Sequence, residues 1–322
     1  MNYKPIIVVA GEPNSIFLEI FLKSLKLKKY KNPIILICSL KLLKAQMNEI
    51  KIKKKIRLIK PNKLTNYKLN NDSINLIDIR YNFESAFEKI SKKSNLYIKQ
   101  CFNLAIKIIK SGYTNKFING PISKKNFLDK KFLGITEFIS SKFELKNSAM
   151  LIYNKNLSVC PLTTHLPLKS VANKISKNEI VKKICLIDKF FIDYLNFKPK
   201  IAILGLNPHC ESIDTFNEDE KIIKPTVKSL IKLNFDVSGP HSADTIFLKN
   251  NRKKFDVILG MYHDQVLTPL KTLYEYDAIN ITLGLPFIRI SPDHGPNFNM
   301  LGKNKSNPES LIEAIKFLDK LK

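Results

Sequence analysis

Five histidines occur in the chain, and all of them fall between residues 165 and 294. Three come directly after short apolar runs: His165 in Leu162-Thr163-Thr164-His165-Leu166-Pro167-Leu168, His209 in Gly205-Leu206-Asn207-Pro208-His209, and His263 in Gly260-Met261-Tyr262-His263-Asp264-Gln265. Ligand sites in open α/β sheets lie at the carboxyl ends of strands. Three imidazoles converging there would hold a divalent ion and leave positions open for substrate. Nitrogen ligands suit zinc, with cobalt, manganese and magnesium as alternatives. A single histidine beside a strand is more often a hydrogen-bonded loop residue, and no two of the three share a short local motif. Spacing alone leaves both readings open.

A second concentration of chemistry runs from Lys271 to Gly295. It holds Lys271, then Asn280 through Arg289, then Ser291-Pro292-Asp293-His294-Gly295. Arg289 sits inside an apolar, strand-like run, where a charge must be paired or must bind an anion. An internal ion pair and an anion site both satisfy that condition. Lys271 and Asn280 would complete an anion pocket, the one as a compact charge and the other as a fixed amide donor.

Other chemistries lack their motifs. Neither G-x-G-x-x-G nor G-x-x-x-x-G-K-[ST] occurs, and the chain has only ten glycines, so a Rossmann fingerprint and a P-loop are both unsupported. There is no G-x-S-x-G elbow and no kinase signature. The five cysteines form no C-x-x-C pair, which points to reduced thiols and not to a disulfide framework. The net charge of +26 suggests nucleic acid, yet only Arg57, Arg80, Arg252 and Arg289 among the 54 basic residues are arginine, the usual reader of bases. The lysines are spread along the chain among many Asn and Ile residues, apart from a modest cluster at Lys51–Lys60. We read the charge as compositional bias and expect no specific nucleic-acid partner. The N-terminal apolar run Pro5–Ala10 is too short for a signal-peptide core, and no stretch approaches the ~20 apolar residues of a membrane span. A cytoplasmic protein with no membrane partner is expected.

The elements that must position these residues follow from periodicity. Apolar, β-branched runs predict strands at Ile6–Ala10, Ile34–Cys38, Lys116–Asn119, Met150–Tyr153, Leu157–Cys160, Ile201–Gly205, Val257–Gly260, Ala278–Thr282 and Phe287–Ser291. Helices are expected at Ser15–Leu27, Glu84–Lys110, Lys177–Leu195, Asp219–Leu233 and Pro308–Leu321. Several strands are apolar throughout, as in sheets covered on both faces, so the class is α/β. Residues Lys60–Asp72 read as a long surface loop, and Gly120-Pro121 as a break where the chain crosses between domains.

In order along the chain stand Gly11-Glu12-Pro13, Asn119-Gly120-Pro121-Ile122-Ser123-Lys124, Thr136-Glu137-Phe138 and Thr163 through Leu168. They are followed by Gly205 through His209, Gly239-Pro240 with Ala243-Asp244-Thr245, Met261 through Gln265, and Asn280 through Arg289 with Asp293-His294-Gly295. This set spans nearly the whole chain and resembles the 4-hydroxythreonine-4-phosphate dehydrogenase family of vitamin B6 synthesis. The resemblance implies two α/β/α domains of the isocitrate/isopropylmalate dehydrogenase type, with the active site in the interdomain cleft and at a homodimer interface. The expected domains are residues 1–130 with 300–322, and residues 131–299, the second carrying the metal histidines.

The resemblance further implies that His165, His209 and His263 hold the divalent metal, one of them reaching across the dimer. Zinc is the favoured ion, with magnesium or cobalt as alternatives. Thr136, Lys271, Asn280 and Arg289 match substrate-binding positions. Lys271 and Asp244 are the candidate catalytic residues, and Asp244 and Asp264 would orient metal-bound imidazoles. Asp293, His294 and Gly295 are the cofactor-binding candidates. The implied activity is NAD- or NADP-dependent oxidation of 4-phosphohydroxy-L-threonine to 2-amino-3-oxo-4-phosphooxybutanoate, which decarboxylates to 3-amino-2-oxopropyl phosphate on the way to pyridoxal 5'-phosphate. Two other readings stand beside it: a dehydrogenase of 4-phosphothreonate or 4-phosphoerythronate, and an acyl transferase resembling phosphate acetyltransferase, which would not need three metal-binding histidines. Ile135 stands where the family usually has histidine. The segments Asn14–Glu19, Cys210–Asp214 and Leu301–Lys305 depart from its glycine-rich loops.

Overall fold

The computed structural model describes residues 3–123, 135–145, 147–213, 216–292 and 296–321. Its first strands are β1 (Ile6–Val9), β2 (Ile34–Cys38), β3 (Ile56–Leu58), β4 (Ile74–Asp78), β5 (Lys116–Asn119) and β6 (Ala149–Tyr153). There follow β7 (Ser158–Thr163), β8 (Ile201–Leu204), β9 (Val237–His241), β10 (Val257–Tyr262), β11 (Ile279–Leu283) and β12 (Ile288–Pro292). The chain divides into two compact units, residues 1–143 with 286–322, and residues 144–285.

The strands of the first unit run β3-β4-β2-β1-β5-β12, each parallel to its neighbours. Parallel strands need crossover connections, and right-handed crossovers that move outward from β1 in opposite directions place helices on both faces. Helix Asn95–Lys110 shows how the sequence meets that demand. It buries Tyr97, Ile98, Cys101, Phe102, Ala105 and Ile109, spaced three and four apart, and lies on β1 and β2. The C-terminal helix Glu309–Lys320 lies on β5 and β12. Strands covered in this way have no solvent face, which is why β1 and β2 are apolar and buried at every position.

The second unit orders its strands β11-β6-β7-β10-β8-β9. β6 is antiparallel to both β11 and β7, and the remainder are parallel. Its core gathers Ile152, Val159, Leu204, Ile258, Val266 and Leu270, among others. Helix His263–Tyr274 packs on β7 and β10, so its first residue stands at the carboxyl end of β10.

The expected boundaries at 130/131 and 299/300 shift in the structure. Helix Ile135–Ser141 sends Phe138 edge-on against Phe102 at 6.0 Å, and β12 pairs with β5, which assigns both elements to the first unit. The Gly120-Pro121 break marks no crossing: Gly120 donates to the Val9 carbonyl at 2.8 Å within the first unit. All three candidate metal histidines belong to the second unit. No helix among the described residues is long and apolar enough to cross a membrane.

Candidate active site

In the second unit, functional side chains are presented at the carboxyl ends of β7, β8 and β10. His165 follows β7 with left-handed backbone (φ 41°) and is exposed. His263 opens its helix immediately after β10. Thr163 donates to the Met261 carbonyl at 2.8 Å and so ties these two strand ends together. The His165 and His263 rings stand 6.0 Å apart, beside a cavity of about 340 Å³ that Thr164, Leu166, Tyr262 and Asp264 also line. A tetrahedral ion about 2.1 Å from one nitrogen of each imidazole would hold the ring centres about 5–6 Å apart, so this pair fits a shared divalent metal. Asp264 accepts from His263 Nδ1 at 2.6 Å, so Nε2 is the ring nitrogen that a metal could take.

His209 does not join them. It follows β8 on the turn Pro208–Cys210, also with left-handed backbone (φ 57°), and it is exposed. Among the described residues, no three His, Cys, Asp or Glu side chains are grouped to hold an ion. One chain therefore brings together two of the three expected ligands.

A carboxylate that the sequence reading passed over organises the His209 loop. Asp219 is fully buried and accepts from the backbone N–H groups of Leu206 (2.7 Å) and Asn207 (3.1 Å) and from Asn207 Nδ2 (2.9 Å). Gly205 is required at that approach, since a Cβ there would lie 2.6 Å from Asp219 Oδ1. Gln265 fastens the same loop by donating to the Gly205 carbonyl at 2.8 Å while accepting from Met261 N–H at 2.7 Å. Asp244 accepts from Ser242 Oγ at 2.6 Å; that bond, and more weakly the nearby His209, holds its carboxyl below the usual range. Lys271 is exposed on the helix that His263 opens, about 12 Å along the axis. Asn280 is half-buried on β11, and its side-chain oxygen has no hydrogen-bond partner among the described residues.

The first unit assembles a different set. Arg289 on β12 is fully buried; its Nε donates to Asn119 Oδ1 at 2.7 Å and its Nη1 to Thr136 Oγ1 at 3.2 Å. Two of the expected substrate residues, Arg289 and Thr136, the second residue of its helix, thus meet directly, and Asn119 at the end of β5, quoted in the sequence without a role, bonds the same guanidinium. Ile135 opens the same helix. Asp293, His294 and Gly295 lie outside the described residues.

The loops after β1 and β5 are joined backbone to backbone. Glu12 donates to the Pro121 carbonyl at 2.8 Å, and Gly11 has φ 77°. A Cβ at Gly120 would lie 2.1 Å from the Ala10 carbonyl oxygen, so both motifs need glycine for contact and not for ligand approach. Glu12 is buried beneath this junction and takes bonds from Asn14 N–H (3.3 Å) and Ser94 Oγ (3.2 Å). Burial pushes its carboxyl up to about 7 despite those bonds. Sequence alone offered Glu12 only as one residue of a short motif.

Comparison with known proteins shows the family. The family described as pyridoxal phosphate biosynthetic protein PdxA matches residues 29–318. A 4-hydroxythreonine-4-phosphate dehydrogenase of Sulfurihydrogenibium sp. is 38% identical, with 98% of this chain and 97% of the relative covered. A D-threonate 4-phosphate dehydrogenase of Pectobacterium atrosepticum is 32% identical over 67% of each chain. The crystal structure of 4-hydroxythreonine-4-phosphate dehydrogenase from Klebsiella pneumoniae superposes with a TM-score of 0.84 at 28% identity, covering 98% of this chain and 97% of the other. An isocitrate dehydrogenase from Methylococcus capsulatus, 8% identical with a TM-score of 0.50 over 96% of this chain and 83% of its own, shares the fold alone. The chain belongs to the PdxA family of pyridoxal phosphate biosynthetic proteins.

Proposed function

We propose that the chain is an NAD- or NADP-linked, divalent-metal-dependent dehydrogenase of 4-phosphohydroxy-L-threonine, acting in pyridoxal 5'-phosphate synthesis in the cytoplasm. One observation carries the reading: 38% identity across 98% of the chain to a 4-hydroxythreonine-4-phosphate dehydrogenase, in a sequence that keeps His165, His209 and His263 together with Thr136, Lys271, Asn280 and Arg289.

His165 and His263 would hold the ion, preferably zinc, with magnesium or cobalt as alternatives. His209, exposed on its turn, would serve the same centre in a second copy of the chain, and the working form would then be a homodimer. Arg289 and Lys271 anchor the anionic ends of the substrate, while Asn280 and Thr136 supply neutral hydrogen bonds. Asp264 fixes the ring of His263, and Asp244, kept ionised by Ser242, steadies His209 electrostatically. Cofactor contacts are assigned to Asp293, His294 and Gly295. A metal held by His165 and His263 would supply Lewis-acid lowering of the substrate hydroxyl pKa, and a nicotinamide would supply a hydride acceptor for the carbon that bears that hydroxyl. The β-keto acid so formed loses carbon dioxide to give 3-amino-2-oxopropyl phosphate.

D-threonate 4-phosphate is the second reading, and Ile135 supports it, because no hydrogen-bonding side chain precedes Thr136 where the family usually has histidine. The test follows NADH absorbance with purified protein, NAD and either substrate, with and without a chelator. Chelator-sensitive turnover of 4-phosphohydroxy-L-threonine is expected. Turnover of D-threonate 4-phosphate alone would move the assignment to the second reading, and turnover indifferent to chelation would remove the metal from it.

A further inference from the structure

Three loops carry the candidate metal ligands, and bonds from all three converge on one residue. Met261 stands two residues before His263. Its carbonyl accepts from Thr163 Oγ1 at 2.8 Å, two residues before His165, and its N–H donates to Gln265 Oε1 at 2.7 Å. The same Gln265 amide donates from Nε2 to the Gly205 carbonyl at 2.8 Å, four residues before His209. The sheet and the helix together produce this. β10 pairs with β8 in parallel as far as Leu259 opposite Ile203, and that register carried two residues on sets Met261 opposite Gly205. There the Gln265 amide gives one strand an acceptor and the other a donor, as a peptide unit would.

Gln265 is the third residue of helix His263–Tyr274, the position from which a glutamine side chain reaches back to backbone N–H groups at the helix start. Gly260 leaves room for that fold-back, since a Cβ there would lie 3.0 Å from Gln265 Oε1 and 2.4 Å from Val266 Cγ1. The amide is therefore held at both ends. Asp264 acts on the ring of His263, whereas Gln265 acts on the backbone that delivers it. An ion binds imidazole nitrogens at about 2.1 Å and tolerates displacements of roughly 0.5 Å, so the spacing of the strand ends that present them governs affinity.

We propose that Gln265 is a positioning residue for metal binding: its side-chain amide braces the strand end that carries His263 against the loop that carries His209. The inference rests on the reading of these histidines as metal ligands. In a homodimer in which His209 serves the second copy, the same amide would hold ligands of both centres.

The test uses the full chain with Gln265→Leu, Gln265→Glu, His209→Ala and His263→Ala. It measures the affinity of the metal-free protein for cobalt(II) against a competing chelator, the visible absorption of the bound cobalt, and thermal unfolding without metal. Gln265→Leu loses both bonds. Gln265→Glu keeps the acceptor for Met261 N–H and sets a carboxylate against the Gly205 carbonyl. Each should lower cobalt affinity roughly 10-fold and alter the visible band, which reports ligand geometry. Should Gln265→Leu fail to fold, Gln265→Glu decides on the same two readouts. Loss in Gln265→Leu alone would confine the effect to the turn before His263 and overturn the brace. Lowered affinity with a wild-type band, or a lowered melting midpoint with wild-type affinity, would mark Gln265 as structural only and overturn it as well. Wild-type affinity and band in both Gln265 variants, with affinity lost in the histidine variants, would overturn the proposal and leave the ligands assigned. Wild-type affinity in His209→Ala and His263→Ala would overturn the ligand reading and the proposal with it.

Discussion

The two regions that hold the candidate site residues are built on opposite plans. In the first unit, buried Arg289, Asn119 and Glu12, with half-buried Thr136, are held by side-chain and backbone bonds. In the second, His165 and His209 are exposed on loops with left-handed backbone, and only His263 starts a helix. An inward site holds its geometry unaided and bears the cost of enclosing charge. An outward site keeps its ligands hydrated until an ion or another chain gathers them, so it is completed by binding. What differs between the two is where order comes from.

Three experiments sharpen or break that contrast. The largest effect is expected at Glu12. Its carboxyl ionises near pH 7 in the folded chain, against 4.5 for its ordinary value. Stability from this group is therefore fully present below pH 4.5 and is lost as pH rises to about 7. Glu12→Gln removes the penalty, so relative to wild type it should gain on the order of 3 kcal/mol at pH 8 and almost nothing at pH 4, read by chemical denaturation. A pH-independent difference would show that enclosure is not what Glu12 contends with.

The next effect tests whether the outward region has an inward root. Asp219→Asn turns an amide N–H₂ toward backbone donors that now meet a carboxylate, and should cost about 2 kcal/mol of unfolding free energy. It should also weaken metal binding through the His209 loop in the assembled protein. Full stability would mean that the loop holds itself. The smallest effect is at Asp264→Asn, where metal affinity measured against a competing chelator should fall roughly 10-fold while the melting midpoint stays put. Unchanged affinity would show that Asp264 does not orient His263.

Much of the fold was legible because buried parallel strands write themselves as apolar runs: β1, β2, β8 and β10 all fall where Ile, Val and Leu cluster. Strands without that signature escaped. β3 is short and only partly buried as Ile56-Arg57-Leu58, and β9 carries Ser238-Gly239-Pro240-His241, residues that read as a turn. The helix expected from Glu84 begins only at Asn95, because Glu88 takes the backbone N–H groups of Glu84 and Ser85 into a local turn. For the candidate site, strand-end position pointed to His165, His209 and His263, of which the structure brings His165 and His263 together, and a charge within an apolar run pointed to Arg289, which the structure buries. The bonds of Asn119 and Asp219 were not legible, since they depend on register and burial that bring residues more than a strand apart into contact. Asn14 and Ser15 stand where the family has small residues, and the structure shows why they are tolerated. Both are buried and bonded, Ser15 Oγ to the Glu12 carbonyl at 2.7 Å and Asn14 Oδ1 to Glu88 N–H at 3.2 Å.

The discontinuity of the first unit sets an order of assembly. A ribosome delivers residues 144–285 as one uninterrupted stretch, complete before any of 286–322 has been made. The first unit at that moment has β1 to β5 but an open edge at β5, because its last strand is Ile288–Pro292. Domains generally close as units during synthesis, the N-terminal one first; here the unit that starts earliest closes last. Arg289 arrives on that closing strand, so its bonds to Asn119 and Thr136 form only after the whole second unit has been made.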